Sequence, residues 1–148
     1  MDKNNPFIKF GQILLGLVII ALLVFAASNI GKFGKTNNHD AEVNKTITDM
    51  IKKYNDNAPF MISEGIRFEN ITALPNRILQ YNLSFINMTV DEININNFES
   101  EIPVIINQIR TNPDMEYFRK NKMSLQYSYK DKDGVFVTNI DITPDMYE

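Results

Sequence analysis

Cysteine and tryptophan are both missing from this 148-residue chain, and it carries a single histidine. Without cysteine there is no disulfide, no thiolate nucleophile, no cysteine-bound zinc and no acylated cysteine of the bacterial lipoprotein kind. The lone His39 stands in a stretch of Gly, Asn and charge, so a zinc site or a Ser-His-Asp triad would have to hang on an exposed linker residue. Six glycines are scattered and form no phosphate-cradling loop. A charge excess of one sign is lacking too: 15 basic and 18 acidic side chains, net −3, are mixed along the chain. No basic stripe neutralises phosphates, which argues against nucleic acid as a partner.

What the chain does have is one long apolar run. Phe10 to Ala27 reads FGQILLGLVIIALLVFAA, with Gln12 its only strongly polar residue. As a helix it is roughly 27 Å long, close to the ~30 Å hydrocarbon core of a bilayer. A helix buried in a soluble protein keeps a polar stripe, and this run is apolar all round. Pro6 suits the first turn, and Gly31 and Gly34 suit the exit. Two readings compete. A cleaved signal peptide would use Lys3 and Lys9 as its basic start and Val24-Phe25-Ala26 or Ala26-Ala27-Ser28 as its small-residue cut. The length of the run fits an uncleaved spanning helix better. The expected organisation is therefore a transmembrane signal anchor with a short tail over 1–30, a linker over 31–41 and a folded domain over 42–148. Lys3 and Lys9 before the run are nearly balanced by Lys32 and Lys35 after it. The short tail and long polar remainder favour a single-pass protein of the bacterial inner membrane with its C-terminal domain outside the cytoplasm, in contact with the lipid bilayer.

Past the linker, periodicity sets out the elements. Val43, Ile47, Ile51 and Tyr54 share one helical face, and Asn57-Ala58-Pro59 ends that helix. Phe60 to Gly65 reads as a connection and Ile66 to Leu74 as a first strand, with Pro75-Asn76 turning it. From Ile78 to Val90, Leu79, Tyr81, Leu83 and Phe85 alternate with Gln80, Asn82 and Ser84, the period-two pattern of a half-buried strand. Phe98, Ile102, Ile105, Ile106 and Ile109 return to helical spacing, with Asn97 as N-cap. Asn112-Pro113 breaks that helix and opens a short second piece through Phe118. Met123, Leu125, Tyr127 and Tyr129 alternate again, and Val135 to Ile142 is the last strand. The expected fold is α+β, a two-layer domain in the order α-β-β-α-β-β with an antiparallel sheet.

Chemistry is sparse. Asp131-Lys132-Asp133-Gly134 invites comparison with a calcium loop, but with Gly134 at the sixth position Tyr129 falls first and Ile140 twelfth, so both end ligands are missing. A hairpin bend uses everything present: strands on both sides, Asp for local backbone hydrogen bonds and Gly for φ > 0. Glu64, Glu69, Asp91, Glu92, Glu99 and Glu101 leave a carboxylate-pair hydrolase formally open, although most sit at turns or helix starts, where acids serve the dipole and the surface. Sequons at Asn44, Asn70, Asn82 and Asn87 are what chance supplies in so Asn-rich a chain. Tyr81, Tyr127 and Tyr129 read first as core or cross-strand packing; if the helices cover only part of the sheet, they become the candidate interaction surface. No catalytic residue, metal ligand or cofactor site is expected.

Three segments carry a resemblance: Pro59 through Arg67, Tyr81-Asn82-Leu83, and Tyr127 through Asp145. Together they resemble a bacterial family of small exported or membrane-anchored domains of unknown function, over residues 42–147. The resemblance implies an extracytoplasmic α+β domain and no activity. It further implies that many relatives carry cysteines near the positions of Ile109-Arg110 and Met146-Tyr147, so core packing must hold that corner here.

The function expected is a non-enzymatic, membrane-anchored accessory or interaction module of the bacterial envelope, contacting an envelope protein through a sheet edge or the tyrosine strip. The alternatives are a cleaved, exported ligand-binding protein and a membrane-held immunity-type inhibitor. Oligomeric state is not legible in the residues.

Overall fold

A computed structural model describes residues 39–148, with side chains from Val43 onward. The apolar run Phe10–Ala27 and most of the expected linker lie outside the described residues. Among the described residues no helix is long and apolar enough to cross a membrane.

Helix α1 (His39–Asn55) leads into three antiparallel strands, β1 (Phe60–Ser63), β2 (Ile66–Leu74) and β3 (Ile78–Phe85). A helical crossover follows: a 3-10 turn at Val90–Glu92, α2 (Asn96–Glu99), α3 (Ile102–Thr111), a 3-10 turn at Pro113–Met115 and α4 (Glu116–Lys120). The chain closes with β4 (Ser124–Lys130), β5 (Phe136–Ile142) and the single turn α5 (Pro144–Tyr147). All five strands form one sheet in the order β1-β2-β3-β4-β5.

The α+β class and the hairpins are as the periodicity predicts, and the order departs from it in three places. Phe60–Ser63, read as a connection, is a paired edge strand: Phe60 stands opposite Phe68 with ring centroids 4.8 Å apart. The sheet is mixed rather than antiparallel, because β3 and β4 run parallel, with Tyr81 opposite Tyr127 and Leu83 opposite Tyr129. Parallel neighbours need a long crossover, and the helical segment between Phe85 and Ser124 supplies it. The helix expected from Phe98 to Ile109 is two helices. Glu101 stands at the N-terminal boundary of α3 and Pro103 fits its first turn, while Asn97 lies inside α2, whose N-cap position is Ile95. Helix α1 begins at His39, inside the stretch read as a linker.

The helices cover one face of the sheet. Val43, Ile47, Met50 and Tyr54 of α1, then Phe98, Ile105, Ile109, Met115 and Phe118, are buried with Phe68, Ile71, Leu79, Tyr81, Leu83, Leu125, Tyr127, Ile140 and Ile142 in one core. Polar contacts fix α1 to the sheet and close the crossover on itself. At the end of α1, the Asn55 amide donates to the Ile71 carbonyl at 2.9 Å and accepts the Ile71 N–H at 2.8 Å. In the crossover, the Arg119 guanidinium donates to the Ile109 carbonyl and, at 2.8 Å, to that of Asn112, closing the C-terminal end of α3.

Candidate functional site

The three tyrosines singled out by alternation converge, but inside the fold. Tyr81 on β3 and Tyr127 and Tyr129 on β4 point to the helix-covered side and are fully buried. Tyr81 and Tyr127 stack at a centroid distance of 5.3 Å, and Tyr129 meets Phe98 of α2 edge-on at 4.8 Å and Phe85 at 5.7 Å. The helical layer covers them completely, so in this fold they pack and present no surface. Their hydroxyls find no hydrogen-bond partner among the described residues. Burial raises all three phenol pKa values, and neighbouring charge adds to it: Tyr81 and Tyr129 act on Tyr127, and Glu101 acts on Tyr129.

The stretch YKDKDGVF is a hairpin bend held by one carboxylate. Asp131 is buried, its Oδ1 accepting the N–H groups of Asp133 at 2.9 Å and Val135 at 2.8 Å. Its Oδ2 accepts the Val90 N–H at 3.0 Å, tying the bend to the start of the crossover. Lys132 N–H adds a bond to the Met88 carbonyl at 3.0 Å. Gly134 takes φ +81°, the left-handed conformation the bend requires. Burial opposes charge on Asp131, yet the three backbone donors win and hold its carboxyl below the usual aspartate range. The other carboxylates are dispersed. Glu64 sits in the β1–β2 turn, Glu69 pairs with Arg67 at 2.8 Å, Asp91 and Glu92 lie in the Val90–Glu92 turn, and Glu99 and Glu101 end α2 and open α3. Glu92 caps its own turn, accepting the Thr89 N–H at 2.8 Å. Among the described residues no group of three or more His, Cys, Asp or Glu is placed to hold a metal ion.

Among the described residues no helix lies over the opposite face of the sheet, which is lined with amides and hydroxyls. Gln80 donates to Gln126 at 2.5 Å, Gln126 to Asp141 at 2.7 Å, and Asn82 to Asn70 at 2.6 Å. Asn70, Gln80 and Asn82 border a shallow trough of about 360 Å³ between Glu69 and Lys130. At the end of the sheet where the Asp131 bend lies, Val135 and Phe136 are 50% and 56% exposed, and Ile86 and Met88, in the segment that leaves β3, are exposed too. No sequence signal marked this apolar end, because Val135 and Phe136 read simply as the start of a strand.

The segments that carried the resemblance fall on structural features: the β1–β2 hairpin, the centre of β3, and the β4–β5 hairpin with α5. The corner without cysteines is closed by other means. Arg110 of α3 donates to the Met146 carbonyl of α5 at 2.8 Å, and the Tyr147 hydroxyl donates to the Met123 carbonyl at 2.7 Å.

No protein-family profile matches the chain, and no curated protein is similar to it in sequence. Solved structures do share its fold. A protein from Pseudomonas aeruginosa held to be secreted superposes with a TM-score of 0.59 at 18% identity, covering 78% of this chain and 100% of its own. The pilotin of the Vibrio vulnificus type 2 secretion system superposes with a TM-score of 0.55 at 7% identity, covering 75% of this chain and 98% of its own. At these identities the likeness defines the fold: a small α+β domain with one five-stranded sheet and helices on one side of it.

Proposed function

We propose that this chain is a non-enzymatic accessory module of the bacterial envelope, held at the inner membrane by residues 10–27 and engaging an envelope protein with its extracytoplasmic domain. The observation that carries the reading is the fold shared with a secretion-system pilotin over three quarters of the chain. The apolar run supports the membrane half of the proposal, since an anchor confines the domain near a membrane partner and raises its effective concentration there. Polar clusters in the described part serve the structure: Asp131 holds a bend, and Arg119 and Asn55 hold helix ends. With the tyrosines buried, the contact surface is the outside of the domain, where the sheet has one face and two edges uncovered among the described residues.

Cross-linking in washed membranes of the host tests this. The proposal expects one envelope protein to be linked to the domain, and linkage to fail when residues 1–30 are exchanged for a cleavable signal peptide. Recovery of the chain with lipid alone would contradict it. The fold shared with a secreted protein favours one second reading, a cleaved and exported ligand-binding domain. That reading expects the domain in the soluble exported fraction.

A further inference from the structure

The two edges of the sheet are built differently. β1 is four residues long and its register shifts between Met61 and Ser63, two devices that keep an edge from recruiting another strand. β5 is seven residues long, FVTNIDI, and carries no Lys, Arg or Pro. Its one charge, Asp141, is occupied by the Gln126 amide at 2.7 Å. β5 pairs with β4 on one side, and no strand lies on its other side among the described residues. The irregularity in its pairing lies at its start, between the partners Tyr129 and Lys130, which leaves Thr138 to Ile142 regular. Such an edge offers unpaired backbone N–H and C=O groups to any extended segment of matching alternation.

We infer that β5 pairs antiparallel with β5 of a second copy, about a two-fold axis at Ile140. Residues directly opposite one another must share a face, so the axis has to pass through a residue. Centred on Ile140, the register sets Ile140 against Ile140 and Thr138 against Ile142 on the helix-covered side. On the open side it sets Asn139 against Asp141, an amide against a carboxylate, and keeps the two Asp141 side chains apart. Centred on Asn139, it would oppose Val137 to Asp141 and draw in the irregular start of the strand. The contact is isologous and closes as a dimer. Five paired residues a side bury less than the ~1,200 Å² of a standard interface, so the dimer fills as local concentration rises, as it does at a membrane. The inference depends on the strand edge alone and stands apart from the envelope reading.

The full chain, purified in mild detergent, tests it, and the absence of native cysteine makes added ones unambiguous. An Asn139→Cys chain mixed with an Asp141→Cys chain gives a disulfide-linked dimer on oxidation, at several times the yield of either variant alone. A Thr72→Cys chain, changed on the open face away from the edge, gives none with Asp141→Cys. Independently, sedimentation over a concentration series shows the Asn139→Asp dimer dissociating several-fold more readily than the parent, because carboxylates then face one another, and Asn139→Lys less readily. Asn139 is exposed, so both variants keep the parent melting temperature. A chain that sediments as a monomer throughout, or a dimer indifferent to both changes at Asn139, overturns the inference.

Discussion

The Asp131 carboxylate accepts the Val90 N–H at 3.0 Å across 41 residues of sequence. One side chain thereby makes the β4–β5 bend and fastens it to the segment that leaves β3. The bend is part of the scaffold, because the same carboxylate also takes the N–H groups of Asp133 and Val135. Asp131→Ala leaves three backbone donors to find new partners, and the expected result is a clear loss of thermal stability. Asp131→Asn keeps the shape, loses the charge and falls between the two. Equal melting temperatures for all three chains would show that the bend holds without its carboxylate.

The pH dependence follows from the same bonds. The folded carboxyl of Asp131 is held below its ordinary value, so its contribution is present above the unfolded aspartate pKa of ~3.9 and is lost as pH falls through the lower folded value. Denaturant melts between neutral pH and pH 3 are expected to show acid destabilisation that Asp131→Asn lessens. An unchanged acid limb in that variant would contradict the assignment.

The buried phenols separate into two kinds. Tyr147 donates to the Met123 carbonyl, whereas Tyr81 and Tyr127 have no partner among the described residues. Tyr147→Phe is expected to cost about 1 kcal/mol, the net worth of a hydrogen bond. Tyr81→Phe removes a desolvated hydroxyl and is expected to leave stability unchanged or raise it by about 1 kcal/mol. Chemical denaturation of the two variants checks this, and a comparable loss in both would mean that Tyr81 is bonded after all. In alkali the sign reverses from that of Asp131. Burial raises the pKa of Tyr81, and that of Tyr147 to about 12, so their contributions are whole below the unfolded value of ~10 and are lost as pH rises through the folded ones.

Arg110 and Met146 meet where the resemblance implies cysteines in relatives. Replacing both with cysteine is expected to close an intramolecular disulfide around a loop of about 37 residues, stabilising by ~4 kcal/mol in the chain-entropy account. A raised melting temperature that reductant abolishes is the expected reading. A bridge that fails to form would show that the backbones stand too far apart.

How far the residues announced this fold can be traced element by element. The alternation at Leu79–Phe85 and Met123–Tyr129 marked β3 and β4 because a half-buried strand writes its period locally. Nothing local reports which strand lies alongside, so the parallel pairing of Tyr81 with Tyr127 was illegible, and an antiparallel sheet was expected. The four residues of β1 are too few to show a period. The break between α2 and α3 was hidden because Phe98, Ile102 and Ile105 keep helical spacing across it. The tyrosines teach the same lesson for the site: alternation fixes the face they occupy and is silent on what covers that face. Asp131 was legible as a bend residue from Asp and Gly, but its reach to Val90 depends on the crossover bringing a distant segment alongside.

The proposed envelope role requires residues 10–27 to remain with the domain at the membrane. Intact mass of the native protein from a washed membrane fraction of its host measures this directly. The predicted result is the whole chain, 17.1 kDa, retained with the membranes. A mass beginning near Ala27, recovered from the soluble exported fraction, would contradict it.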